Sequence, residues 1–339
     1  MEVKGRKLEI LAAIIEIYTR TSQPVGSSAV CKYLNFSISP ATVRNEMAQL
    51  SLMGFLEQPY VSAGRIPSQI GYRVYVDFFM KEYELSVYDK SVIDEKLKIK
   101  LAEPENLIGG LAKILSEITD CVAVSAVPWD KNACVENIRF VKINSKSAML
   151  ILITTTGVVK TKIFTCKFEI NEKILEIFAK VIREFINKPL EFLSPESINL
   201  VCNRIGTENF VLPVLEALIS AAQKSRISEV NVEGELNLFD KNNGKIENIY
   251  KIWKFFNKKD ELLELLFLKK NATDIFIGNE IGVSALSGVS LIKSYYSVGE
   301  NFGVIALIGP LNVNYACMVA KLNYISKVME SVLKEFLAR

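Results

Sequence analysis

Histidine is absent from all 339 residues. Its absence removes the commonest general base, the commonest metal ligand and the usual switch near neutral pH. Histidine-ligated zinc, Ser-His-Asp and Cys-His catalysis are excluded with it. The six cysteines (Cys31, Cys121, Cys134, Cys166, Cys202 and Cys317) never come close enough for a C-x-x-C pair. They read as buried, reduced, cytosolic thiols. Long apolar runs are missing too: the greasiest, Ala148 to Ile153 and Val304 to Leu311, are of strand length, too short to cross a bilayer. No phosphate-binding loop or nucleophile elbow occurs, and Gly278 to Gly288 lacks the required glycine spacing. The opening M-E-V-K-G-R-K leads straight into an amphipathic helix and does not read as a signal peptide. Neither charge dominates: 41 Lys and Arg face 38 Asp and Glu, a net of +3. A carboxylate- or lysine-based enzyme stays open. The expectation is a cytoplasmic protein that is not an enzyme and carries no cofactor or metal.

What is present is concentrated in Ser39 to Met53, S-P-A-T-V-R-N-E-M-A-Q-L-S-L-M. Ser39 is a good N-cap, Pro40 suits the first helical position, and Gly54 suits a left-handed cap. Helical spacing places Val43, Met47 and Leu50 on one face, which needs a core. Roughly opposite lie Ala41, Thr42, Asn45, Ala48 and Gln49, small and rich in amide. An ordinary solvated face would carry Lys and Glu. A face that approaches base edges wants small residues, with Asn or Gln to pair with adenine. Arg44 sits at the margin, suited to a phosphate.

The flanks agree. Gly5 to Thr19 carries a helical apolar stripe, Gln23 to Gly26 breaks it, and Ser27 or Ser28 can cap a short second helix. Short helix, turn and capped helix make a helix-turn-helix. Phe55 to Gln58 reads as a strand, and Tyr60 to Ile66 as a loop or hairpin with a glycine at its tip. From Gln58 to Gly71 there is one base, Arg65, and no acid, which fits a wing laid on phosphates, with Ser62 and Arg65 as its contacts. Ser68 caps a closing helix. Capped helices followed by hairpins also occur in domains with no nucleic-acid partner. Residues 1–80 hold eight bases and six acids, so one such module is weakly basic and useful affinity asks for two.

Five blocks resemble the heat-inducible transcription repressor HrcA family: Pro24 to Ser27, Ser39 to Met47, Gly54 to Pro59, Ser62 to Pro67 and Gly71 to Asp77. Ile277-Gly278-Asn279-Glu280 and Gly303 to Pro310 are similar to the family's late motifs. The family's usual Arg-Met-Asp-Tyr after that Gly-Pro is replaced by Leu311-Asn312-Val313-Asn314-Tyr315. The resemblance implies a dimeric repressor of chaperone operons. Its fold would be a winged helix, a GAF-like domain and an inserted dimerising domain. Its partners would be double-stranded DNA bearing a CIRCE-type inverted repeat, a second copy, and the GroEL chaperonin, with no membrane. DNA contacts are then expected from Ser39, Thr42, Arg44, Asn45, Gln49, Ser62 and Arg65. The alternative is a winged-helix regulator that senses a small molecule in its GAF-like domain.

The rest of the chain reads as α+β. The expected division is a winged helix at 1–82, a linker at 83–105 with some helix, for example Val92 to Leu101, a first GAF-like part at 106–167, a mainly helical dimerisation insert at 168–230, and a second GAF-like part at 231–339. Hairpins are predicted at Val135 to Thr155 and Ser147 to Phe168. Asn171 to Asn187 is strongly amphipathic, two further helices follow Ser194-Pro195 and Pro213, and a long helix closes the chain from Leu311.

Overall fold

Helix α1 (Gly5–Thr21) forms because Ile10, Leu11, Ile14 and Ile15 recur at helical spacing, and all four are buried. In this computed structural model, which describes residues 5–101, 107–127, 132–156, 158–195, 208–225, 229–238, 246–268, 273–298 and 301–338, α1 packs on α2 (Ser27–Tyr33) and α3 (Pro40–Leu52). A two-stranded hairpin follows, β1 (Leu56–Glu57) against β2 (Ile66–Pro67), and then α4 (Gln69–Phe78). These elements make a winged helix-turn-helix.

The segment expected as a linker contains helix α5 (Val87–Leu101), whose Ile93 and Leu97 are buried. It packs on α6 (Leu107–Thr119), so it belongs to the folded body. A five-stranded antiparallel sheet follows. It joins β3 (Val122–Val127), β7 (Glu229–Glu233), β8 (Thr273–Ile277), β9 (Val289–Val298) and β10 (Asn301–Pro310) in the order β7-β3-β10-β9-β8. Every residue of β3 is buried, because the sheet is covered on both sides. Ile305 and Leu307 share a core with α6 and the closing helix α11 (Tyr315–Ala338). Val304, Ala306 and Ile308 face α9 (Ile246–Phe256) and α10 (Lys259–Phe267). Residues 311–314 are not helical; the closing helix starts at Tyr315.

The largest departure from the sequence reading is the insert. Strands β4 (Val135–Lys142), β5 (Ser147–Thr154) and β6 (Val159–Thr165) form a separate three-stranded sheet. One face packs on α7 (Glu172–Arg183) and α8 (Glu208–Ser225) in a core of its own. Among the described residues the unit gathers these three strands with α7 and α8, so the strands expected in the first GAF-like part belong to a sheet of the inserted unit. Local alternation tells a strand that one face is buried, but not which sheet it joins. The amphipathic stripe of α7 turns inward: Phe178, Val181 and Ile182 fill this core. The helix expected after Ser194-Pro195 lies outside the described residues, as does Cys202. Cys121 and Cys166 are buried as expected, whereas Cys31, Cys134 and Cys317 are only half-buried. Val127, the last residue of β3, pairs with Glu229, the first of β7.

Candidate nucleic-acid interface

Helix α3 is built as its sequence predicts. Ser39 holds an extended conformation and its Oγ accepts the Thr42 N–H at 3.1 Å. Thr42 Oγ1 lies 2.8 Å from the same oxygen. Val43, Met47 and Leu50 are buried, and Gly54 has φ +79° just past the helix, a conformation that costs glycine nothing. Pointing away from the core are Ala41, Arg44, Asn45, Ala48 and Gln49, all exposed. Among the described residues no hydrogen bond engages the side chains of Arg44, Asn45 or Gln49. Thr42, at the edge, is half-buried. The one acid in the helix, Glu46, turns back toward α1, where Arg6 and Lys7 lie 3.4 and 3.8 Å from its carboxylate. The outward face is thereby relieved of a negative charge that would repel phosphates.

The wing differs from its predicted form. Its tip is the turn Tyr60–Ala63, closed by the Ala63 N–H donating to the Tyr60 carbonyl at 3.0 Å. The positive φ of that turn falls on Ser62, at +73°, not on a glycine. Gly64 sits further back. A Cβ there would lie 2.4 Å from the Val25 carbonyl oxygen, so the glycine permits close approach of two backbones. Next to it, Val25 and Arg65 exchange N–H···O bonds of 2.9 and 2.8 Å. The Pro24 to Ser27 connection is thus stitched to the base of the wing. Helix α2 is capped by Gly26 without a side-chain bond, so neither Ser27 nor Ser28 serves as its cap.

The predicted contacts do not all present themselves alike. Ser62 is exposed at the tip, beside Tyr60 and Val61, which are 66% and 90% exposed. Those two apolar tip residues were not singled out from the sequence; the acid-free loop was the only signal. Arg65 is half-buried and donates from Nε to Ser51 Oγ at 3.0 Å, binding the wing to the last turn of α3. The base of the unit is fixed by Ser68, whose Oγ donates to the Gly54 carbonyl at 2.6 Å and accepts from the Gly71 N–H at 3.1 Å. A Cβ on Gly71 would meet the Phe55 carbonyl oxygen at 2.3 Å, so α4 crosses directly over the turn that follows α3.

A second set of contacts was missed altogether. Helix α4 docks the winged helix on the sheet. Its Gln69 Nε2 donates to the Ser287 carbonyl at 2.8 Å, and its Oε1 accepts the Asn279 N–H at 3.0 Å. Arg73 Nε donates to Glu280 Oε1 at 2.8 Å and Nη2 to the Ile275 carbonyl at 2.7 Å, while Nη2 also meets Glu280 Oε2. That carboxylate, with Asp77, pushes the Arg73 guanidinium pKa up. Tyr72 and Tyr315 pack with ring centroids 5.9 Å apart, both almost fully buried, and burial pushes both hydroxyl pKa values up. The sequence signal was present as two motif blocks, but nothing local says that they meet.

Comparison with known proteins agrees with this architecture. Residues 3–75 match the family description "Winged helix-turn-helix transcription repressor, HrcA DNA-binding". Residues 105–319 match "HrcA protein C terminal domain". The chain is similar to proteins named heat-inducible transcription repressor HrcA. It is 34% identical to one from Clostridium perfringens, over 98% of this chain and 99% of the relative. It is 32% identical to one from Acetivibrio thermocellus, over 100% of this chain and 97% of the relative. A crystal structure of a hypothetical protein has the same fold, with TM-score 0.72 at 19% identity, over 98% of this chain and 99% of that one. Among the described residues no helix is long and apolar enough to cross a membrane.

Proposed function

This chain belongs to the HrcA family of winged-helix transcription repressors, and on that footing we propose that it represses chaperone operons as a homodimer on a CIRCE-type inverted repeat. The observation that carries the reading is the outer face of α3: a capped helix whose Asn45 and Gln49 amides are exposed and unengaged. Each α3 enters a major groove, with Thr42, Asn45 and Gln49 toward base edges. The helix start at Ser39, with Arg44, meets phosphates. Ser62, Tyr60 and Val61 follow the wing into the adjoining groove. Arg65 adds its charge from the base of the wing.

Dimerisation is supported by the inserted unit. On the face of its sheet away from its own core, Val141, Met149 and Ile163 form a cross-strand row. Val141 and Ile163, with neighbouring Ile143, are 45%, 54% and 50% exposed. Ile151, Ile153 and Val159 on the same face are buried in the main core and Met149 packs against it, so the exposed apolar patch is the end of the face that carries Val141, Ile143 and Ile163. Such a patch favours a partner, and a second copy would use it twice. Ile163→Asp shifts the protein to monomer in light scattering; an unchanged dimer rejects this face.

Heat acts without a ligand. A repressor within a few kcal/mol of unfolding vacates its operator on warming, and a GroEL-type chaperonin returns it to the active form in the cytoplasm. The ligand-sensing alternative draws no specific support from the sheet, both of whose faces are packed with apolar side chains. The deciding experiment is a footprint of the full-length protein on chaperone promoters of its own organism. Protection of an inverted repeat, lost on brief heating and restored by chaperonin, is expected. Absence of protection on any chaperone promoter sinks the reading.

A further inference from the structure

We infer that Gln69, Arg73 and Glu280 are positioning residues for DNA binding: they lock the winged helix at one angle on the sheet, and so fix which half-site separation a dimer accepts. This rests on the dimeric-repressor reading above. Gln69 and Arg73 are one turn apart on α4 and act as two prongs. Both ends of the Gln69 amide are used, one as donor to Ser287 and one as acceptor from Asn279, so the group has a single orientation. The loop that receives it is shaped for it. Gly278 has φ +56°, and a Cβ there would stand 2.2 Å from Gln69 Cδ. Arg73 grips the Glu280 carboxylate with two nitrogens, the bidentate geometry that fixes direction as well as distance. Glu280 is itself held, since its Oε2 accepts the Ile277 N–H at 2.9 Å.

Further anchors come from the start of the closing helix and the segment before it. Tyr315 packs against Tyr72 with its ring tilted by 54°, and Asn312 Nδ2 donates to Ser22 Oγ at 2.9 Å. One attachment makes a hinge; attachments from α4 and from the end of α1 together make a rigid joint. The blocks Gly71 to Asp77, Ile277 to Glu280 and Leu311 to Tyr315 are therefore parts of one joint. None of these contacts touches the outer face of α3. Loosening the joint leaves the reading surface intact and changes only how two reading heads are held. A rigid span matched to two half-sites gives a high effective concentration at one separation and little at others, whereas a loose one spreads a lower value over many. Half-sites on one face of the duplex recur once per helical turn.

The test uses full-length protein and duplexes that the wild type selects from a random pool. These are resynthesised with the spacer changed one base pair at a time through a helical turn, alongside a single half-site. Wild type shows one sharp optimum. Arg73→Ala and Gln69→Ala bind that optimum about tenfold more weakly and lose the dependence on spacing, with half-site affinity unchanged; Arg73→Lys recovers part of the optimum. Glu280→Gln, which alters the joint from the sheet side alone, gives the same flattening, and hydrogen exchange at the Ile277 and Asn279 amides rises about tenfold. An unaltered spacing profile in Arg73→Ala and Glu280→Gln overturns the inference, as does half-site affinity falling in step with the optimum. A wild type that selects an inverted repeat but is indifferent to spacing overturns the joint alone. A wild type that selects none overturns the dimeric-repressor reading beneath it.

Discussion

Helices α3 and α4 carry nearly the same polar chemistry, an amide and an arginine behind a serine cap, and put it to opposite uses. On α3, Gln49, Asn45 and Arg44 are exposed, and among the described residues no hydrogen bond engages their side chains. On α4, Gln69 and Arg73 are consumed by the loop after β8. A polar helix face is thus an offer whose taker is not written in the helix. For α3 the open taker is a duplex; for α4 it is a loop more than two hundred residues away in the chain, with |i−j| of 207 between Arg73 and Glu280.

The largest expected effect bears on what lies beneath both faces. Leu50→Ala empties a fully buried site under α3 and costs about 2–5 kcal/mol in chemical denaturation; a cost under about 1 kcal/mol would mean that α3 is not seated where described. Asn45→Ala comes next, losing about 1–3 kcal/mol of operator binding and relaxing base preference, with the melting temperature unmoved. If operator affinity and sequence preference both survive, the outward face of α3 is not the reader. The contrast itself is sharpened by the pair of glutamines. Gln49→Ala lowers operator affinity and leaves stability within about 0.5 kcal/mol. Gln69→Ala, which breaks two hydrogen bonds, costs about 1 kcal/mol per bond in unfolding and spares half-site affinity. Equal behaviour of the two would erase the distinction. Ser39→Ala removes the α3 cap for about 1 kcal/mol of stability, read by thermal melting.

The last expected effect is alkaline. Burial first of all pushes Tyr75 and Tyr295 from the ordinary 10.0 up to about 12. The folded chain keeps these protons after the unfolded chain has released them. Their contribution is complete below pH 10 and drains away as pH rises toward 12. A denaturation midpoint that stays level across that window would contradict the burial of both rings.

Much of the winged helix was legible in the sequence. Ser39, Pro40 and Gly54 mark the ends of α3 by backbone chemistry alone, and the spacing of Val43, Met47 and Leu50 gives its inner face. The hairpins of β4 to β6 were legible as hairpins too. Their sheet was not, because period-two burial is satisfied equally by any apolar surface laid against it. The wing glycine was misplaced for a related reason. Gly64 is needed for a backbone neighbour, Val25, that arrives from a distant part of the chain, whereas the local rule for glycine points to a turn. Among the predicted contacts, Ser39, Thr42, Arg44, Asn45 and Gln49 share one helix, so their grouping followed from periodicity. The bond from Arg65 to Ser51 depends on how the hairpin folds back, which no spacing encodes.

The rungs Val127 and Glu229 stand opposite each other at the end of the β3–β7 ladder. In topological terms the inserted unit is the loop of an ordinary hairpin. The entropy of closing a loop grows only logarithmically with its length, so the connection itself adds little cost. What ties the inserted body to the parent domain is side-chain packing: Ile151, Ile153 and Val159 in the main core, and Lys160 paired with Glu229. Such a socket keeps the strand ladder continuous whatever is mounted on it, but a graft replacing 128–228 with a tight turn would also uncover the platform surface on which Ile151, Ile153 and Val159 pack.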